Sequence, residues 1–327
     1  MTGVGLALAA CSGEATTGPV FEAGLRVVIT EFQGSRPVLL VGDERGNGRT
    51  RLHFDNVADS IPGNYPGLVV SDDRLLALGS PSISPDGARL AVVATVAYDQ
   101  SEIVVMKIDG TSPKVASVNT QIIGAGPQWS PDGTKLAYTM STKQNFRGID
   151  LFVTNIVTNT VTRLTTDENL DEAAVRWSAD GQSIYYTRRG VGPAVPGERA
   201  NELIRINVAS HASQVVATGI LGQVSAIASN GARVLLTRDA ATTGGSGSRS
   251  LVELTVGGTE RVLLERDAAW ARYLGSDLHA VVITAAQSAG DVIRQYLVME
   301  LGSKQQRRID NVTGEANVDA RYLPLID

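Results

Sequence analysis

A four-residue turn returns along this chain at nearly even intervals. It reads Ser84-Pro85-Asp86-Gly87, Ser130-Pro131-Asp132-Gly133, Ser178-Ala179-Asp180-Gly181 and Ala228-Ser229-Asn230-Gly231, with a worn fifth copy at Gly275-Ser276-Asp277-Leu278. Successive Asp or Asn positions lie 46, 48, 50 and 47 residues apart. In such a tetrapeptide Pro presets φ at the second position, Asp hydrogen-bonds its own backbone, and Gly accepts φ > 0. That makes a tight reversal between antiparallel strands. A large apolar residue precedes each turn (Ile83, Trp129, Trp177, Ile227 and Leu274). A strand-like run follows each one, at 90–95, 136–139, 184–187, 234–237 and 281–284.

Each unit then offers a third strand (103–108, 150–156, 202–208, 250–256, 295–301). A shorter, more polar fourth follows (114–118, 160–165, 214–218, 261–265, 306–310). Four short strands in about 45 residues is the pattern of a β-propeller blade. At the start of the chain, 24–30, 38–41 and 49–52 match the second, third and fourth strands of a unit that lacks its first. The missing piece resembles 320–324, with Tyr322 in the Trp place and Pro324 in the Pro place. The fold expected is all-β: a six-bladed β-propeller over residues 22–327, closed by N- and C-terminal strands sharing one blade. Closure leaves no long exposed strand edge.

The repeat resembles the TolB-type propeller repeat, a WD-like unit common in bacterial periplasmic proteins. The resemblance runs from about residue 22 to 325 and is specific for fold rather than function. TolB carries an additional N-terminal α/β domain that engages the Tol inner-membrane machinery. Only residues 1–21 precede the propeller here, so that domain is not expected, and a Tol role does not carry over on the propeller alone.

The first residues suggest a location. Leu8-Ala9-Ala10-Cys11 follows a short apolar stretch and resembles the lipobox of bacterial lipoproteins, in which a signal peptidase cuts before a Cys that is then acylated. Cys11 is the only Cys of the chain, and the Ser/Thr/Gly-rich stretch after it suits a flexible tether. Residues 1–10 are read as a signal-peptide remnant and 11–21 as a lipidated tether. A signal peptide should begin with positive charge, yet no Lys or Arg precedes Arg26; a start codon upstream of Met1 would repair this. Several acyl chains on one Cys anchor stably. Ser12 after the Cys resembles the outer-membrane type, so the expected place is the bacterial periplasm, on the outer rather than the inner membrane.

Irregular sequence gathers on one face of the disc. The first-to-second turns mark a tight face. The opposite face receives the longest inter-unit connection, 53–81, and the second-to-third loops at 98–101, 141–148, 188–201, 239–249 and 286–292. Loops on a rigid scaffold are where binding residues concentrate. The partner-binding candidates there are Tyr65, Tyr98, Phe146, Arg147, Arg188, Arg189 and Arg199, aromatic and Arg side chains being the usual interface anchors. Trp129 and Trp177 are read as packing between blades.

Catalytic signatures are missing. There is no Gly-x-Ser-x-Gly elbow, phosphate loop or dinucleotide fingerprint. One Cys, and three His (His53, His211, His279) that never form a ligand-like pair, give no metal motif. The inner strands offer Ser82, Gln128, Arg176 and Ala226 rather than converging ligands. The acidic run Asp167–Glu172 lacks the glycine of a calcium loop and reads as surface. With 29 Lys+Arg against 34 Asp+Glu the net charge is −5, so nucleic acid is not an expected partner. No run of about 18 apolar residues occurs, so no helical span is expected. The function expected is therefore a non-enzymatic, lipid-anchored periplasmic propeller without cofactor. It would bind a protein partner, as an accessory subunit of an envelope or membrane complex. The alternative is a glycan or small-molecule binder, or a hydrolase, using the central channel. A sensor of peptidoglycan is a third reading.

Overall fold

Each Ser-Pro-Asp-Gly turn is wired by the same hydrogen bonds. Ser84 Oγ donates to Asp86 Oδ1, which also accepts from the Ala88 backbone at 3.0 Å. Ser84 Oγ accepts from the Arg89 N–H at 2.8 Å, and Gly87, at φ 70°, donates to Ser84 O at 2.9 Å. Ser130 with Asp132, and Ser178 with Asp180, repeat the arrangement. Burial of the Asp132 carboxylate opposes its ionisation, but donation from Ser130 and Thr134 prevails and lowers its pKa to about 2.

The worn fifth turn departs from the sequence register. Tyr273 pairs with Ala280 as Ile83 pairs with Leu90, and Asp277, at φ 60°, donates its N–H to Leu274 O at 2.8 Å. Asp277 thus fills the Gly place, not the Asp place, and Tyr273 rather than Leu274 is the residue before the turn.

The computed structural model describes residues 24–58, 69–98, 100–117, 122–141, 148–190, 200–239, 249–275, 277–288, 291–312 and 316–322. All regular structure within them is β-strand. Four four-stranded sheets are separate. The first takes Asn317–Tyr322, Leu25–Gln33, Arg36–Asp43 and Thr50–Leu52. The second takes Ala77–Ile83, Arg89–Ala97, Gln100–Lys107 and Lys114–Val115. The fifth and sixth units run Gln223–Ile227 to Glu260–Leu264 and Ala268–Leu274 to Gln306–Arg308. Between them lies one nine-stranded sheet in which the meanders of units three and four are joined by a single parallel pair, Ile149↔Asp171. The arrangement is a β-propeller.

The first and last described strands meet in the first sheet. Leu25 pairs with Tyr322, Arg26 with Arg321, and so on to Thr30 with Asn317. Strand alternation then divides the core. Among the described residues, buried apolar side chains fall into six clusters, each shared by two neighbouring units. Leu90 and Val104 pack toward the first unit, while Ala91, Ile103 and Val105 pack toward the third. Trp129 Nε1 donates to Ser82 O of the preceding inner strand at 3.0 Å, and Trp177 Nε1 to Gln128 O at 3.0 Å. Arg89 Nη2 reaches forward to Gly133 O at 2.9 Å. The indoles are ties between sheets, as expected.

These sheets approach closely at the turns. A Cβ on Gly231 of the fifth unit would stand 2.2 Å from Tyr185 Cε1 of the fourth, at a residue with φ 69°. Gly231→Ala is expected to lower stability to urea by at least about 2 kcal/mol. Gly34→Ala, at φ 65° with open space around it, should cost only about 1 kcal/mol. Equal losses would contradict the close packing of these two sheets.

Candidate functional site

Inner strands run toward the tight turns, so their first residues lie on the loop face and their last on the turn face. Second strands run the other way and end in hairpins on the loop face. There Tyr98 is 96% exposed. Tyr65, Phe146, Arg147 and Arg199 lie outside the described residues, as does Cys11.

Two expectations for this face need correction. Residues 98–101 and 286–292 are not long loops: Ala97 pairs with Gln100, and Ser288 with Asp291, so strands continue almost to the hairpin tips. Arg188 and Arg189 are strand residues within Ser183–Gly190, opposite Glu172 and Asp171. Arg188 Nε is held by Glu202 Oε2 at 2.8 Å, so it is half-buried and committed to a neighbour; Arg189 is exposed. The sequence breaks its apolar run at these arginines, but cross-strand pairs with acids carry the ladder onward.

Sequence reasoning missed other exposed side chains at the same level. Phe32 stands at the Gln33–Arg36 reversal, Leu76 just before the Ala77–Ile83 strand, and Val292 and Ile293 at the sixth unit's hairpin. With Tyr98 they occupy three units that neighbour one another in the ring, the sixth, first and second. The sequence signal was an apolar residue beside a hairpin tip, which a pattern search assigns to the core.

The axis holds a cavity of about 500 Å³ lined by inner strands of all the units. Its loop end carries Glu172, Gln223 and Asn317. Glu172 was expected on the surface, yet it is only 2% exposed. Burial, and the neighbouring Asp150 carboxylate, push its pKa up to about 8. Its Oε2 has no hydrogen-bond partner among the described residues.

The turn end is closed by arginines. Residues preceding the pre-turn position form one layer around the axis: Ser82, Gln128, Arg176, Ala226, Arg272 and Arg321. Arg272 donates to Pro81 O, Ser82 Oγ and Gln128 Oε1, each at 3.1 Å, and faces Asp319 at 3.4 Å. Arg176 reaches Asp277 Oδ1 at 2.8 Å. The other oxygen of Asp277 accepts from Ser229 N and Oγ at 2.7 and 2.6 Å. The arginines therefore act as cross-ring struts. Among the described residues no three His, Cys, Asp or Glu are placed to hold a metal.

This ring geometry has relatives. The family model for the TolB beta propeller domain matches residues 69–274, more than half of the chain. The chain belongs to the TolB β-propeller domain family. An uncharacterised protein of Agrobacterium fabrum is 32% identical over 110 residues, covering 34% of this chain. The match spans only about a third of that relative's length, 36%. The crystal structure of TolB from Acinetobacter baumannii superposes with a TM-score of 0.64 at 14% identity, over 92% of this chain and 67% of that one. A puromycin hydrolase gives a TM-score of 0.54 at 15% identity, over 89% of this chain and 44% of that one. Such distant likenesses establish the TolB-type fold alone, and that fold serves both kinds of protein.

The burial of Glu172 should make folding stability depend on pH. An ordinary Glu loses its proton near 4.5, whereas Glu172 keeps it to about 8. Between those values the folded chain binds a proton that the unfolded chain has lost, so stability falls as pH rises through the window. Glu172→Gln should remove that slope and gain roughly 2–4 kcal/mol over the parent between pH 5 and pH 8. Urea midpoints at both pH values measure it; parallel profiles would refute a buried, protonated Glu172.

Proposed function

We propose that this protein is a non-enzymatic periplasmic propeller that binds a protein partner through its loop face, as an accessory subunit of an envelope complex. In this reading the ring has six blades, the nine-stranded sheet counting as two joined by one parallel pair. The six inter-unit core clusters support that count. The observation that carries the function is the row of Phe32, Leu76, Tyr98, Val292 and Ile293 exposed on three neighbouring units. Exposed apolar side chains on rigid paired hairpins suit a protein interface.

Chain direction supports an orientation. Leu25 and Tyr322 pair at the turn-face end of the first sheet. A tether over 11–21, lipidated at Cys11 and leading to Leu25, would put the turn face toward the membrane. Fully extended, residues 12–24 would reach about 45 Å, enough to leave the loop face free to meet partners away from the lipid. Ser12 favours the outer membrane. The absence of a nucleophile elbow, a phosphate loop and a metal motif from the sequence supports the non-enzymatic reading. A small ligand in the channel is the second reading, favoured by Glu172, Gln223 and Asn317 at its loop end. The struts of Arg176 and Arg272, and the commitment of Gln223 Oε1 to Arg249 at 2.9 Å, weigh against it.

Photo-crosslinking in native membranes tests the leading reading. A benzophenone amino acid replacing Phe32 or Tyr98 should give protein adducts, and one replacing Gln182 at a tight turn should not. Adducts from Gln182 alone would overturn the face assignment. Cys11→Ala should release the protein from the membrane; unchanged association would remove the anchor.

A further inference from the structure

Outer strands are where a propeller is open to other chains, because each presents a row of unpaired backbone N–H and C=O groups. Proteins blunt such edges with short strands and charges. Five of the outer strands here follow that rule: Thr50–Leu52, Lys114–Val115, Thr160–Arg163, Glu260–Leu264 and Gln306–Arg308. None exceeds five residues and each contains a charged side chain.

The fourth unit breaks it. Its outer strand, Ser213–Ile220, is eight residues long and reads Ser-Gln-Val-Val-Ala-Thr-Gly-Ile. It has no charge, and residues 206–232 contain no Asp, Glu, Lys or Arg. The strand pairs with Asn201–Asn207 on one side, and none of the described strands pairs with it on the other. Ser213, Gln214, Val215, Thr218 and Gly219 are exposed, Val215 by 46%. Its end is pinned rather than frayed: Asn201 Nδ2 donates to Ile220 O at 3.2 Å and to Gly222 O at 3.0 Å.

We propose that this edge accepts an extended, uncharged segment of another polypeptide as an added strand. An added strand can take the place of water on such backbone groups, and an uncharged segment brings no charge that would be buried unpaired. A second propeller fits less well. Register shifts between Asn201 and Leu203, and between Leu203 and Ile204, bulge and twist the edge, which opposes flat pairing of two rigid sheets but not wrapping by a single flexible strand. Edge-to-edge contact of two such strands would bury on the order of a few hundred Å², well below the roughly 1,200 Å² of a stable dimer. The site lies on the rim, so it does not rest on the loop-face reading.

The probe is an acetylated, amidated octapeptide of alternating Thr and Val, offered at millimolar concentration to the full chain. Hydrogen exchange of the amides in 213–220 should slow by about tenfold, with no change in the Glu260–Leu264 edge. A peptide with Lys at the four Thr positions should give no protection. Val215→Lys, on an exposed side chain that leaves the core untouched, should abolish protection in a chain whose urea midpoint is unchanged; Tyr98→Ser should not affect it. No protection at 213–220, equal protection of both edges, or equal protection by the Lys peptide would overturn the proposal. Dimers in sedimentation equilibrium that Val215→Lys dissociates would overturn it in favour of a second copy.

Discussion

Six backbone pairs, from Leu25↔Tyr322 to Thr30↔Asn317, turn a row of sheets into a ring. Without them the sixth unit would lose its neighbour, and a cluster containing Val27, Ile29, Val281, Val298 and Val318 would open to water. A linear row of small sheets, each buried only by its neighbours, has two raw ends; pairing them removes both at once. Side chains brace the junction. Asp319, on the closing strand, accepts from Ile83 N at 2.8 Å and faces Arg272 from the sixth unit. One carboxylate thus links three consecutive sheets at the seam.

The interior is correspondingly divided. Among the described residues no one cluster fills the centre; apolar side chains are shared pairwise around the ring, and the axial cavity, lined largely by small and apolar residues, carries its charged groups at its two ends. Arg272 and Arg176 fill the turn end, where their donors meet backbone carbonyls, amides and two buried carboxylates. Glu172 at the other end is the costlier group. It sits buried near the Asp150 carboxylate, and it keeps a proton that an exposed glutamate would shed. Such unresolved polarity is tolerated in a channel because the surrounding sheets are already fixed by their pairing and by the indole ties of Trp129 and Trp177.

Much of this was legible in the sequence because turns and strands are local. Ser-Pro-Asp-Gly specifies its own hydrogen bonds, and the terminal match of Tyr322 to the Trp place predicted the seam correctly. What escaped had non-local causes. The fifth turn is one residue out of register, so counting Asp positions placed Asp277 in the wrong role; only the pairing of Tyr273 with Ala280 corrects it. Glu172 looked like the end of an acidic surface run, although it lies five residues before Trp177 on an inner strand. Arg272 and Arg321 share a layer with Ser82 and Gln128, but residues so unlike reveal no repeat until the strands are aligned. The hairpins near Tyr98 and Ile293 read as loops because polar residues such as Gln100, Ser101, Gln287 and Asp291 interrupt the apolar run there.

The first of the described strands has a mechanical role. Leu25–Gln33 is not at the edge of its sheet: Asn317–Tyr322 lies on one side and Arg36–Asp43 on the other. A pull delivered through the N-terminal end along this strand loads two ladders in shear, so their bonds share the force instead of parting one after another. Tugging on the chain's beginning therefore meets the disc at one of its toughest points, while the same force applied to an outer strand would peel it away bond by bond.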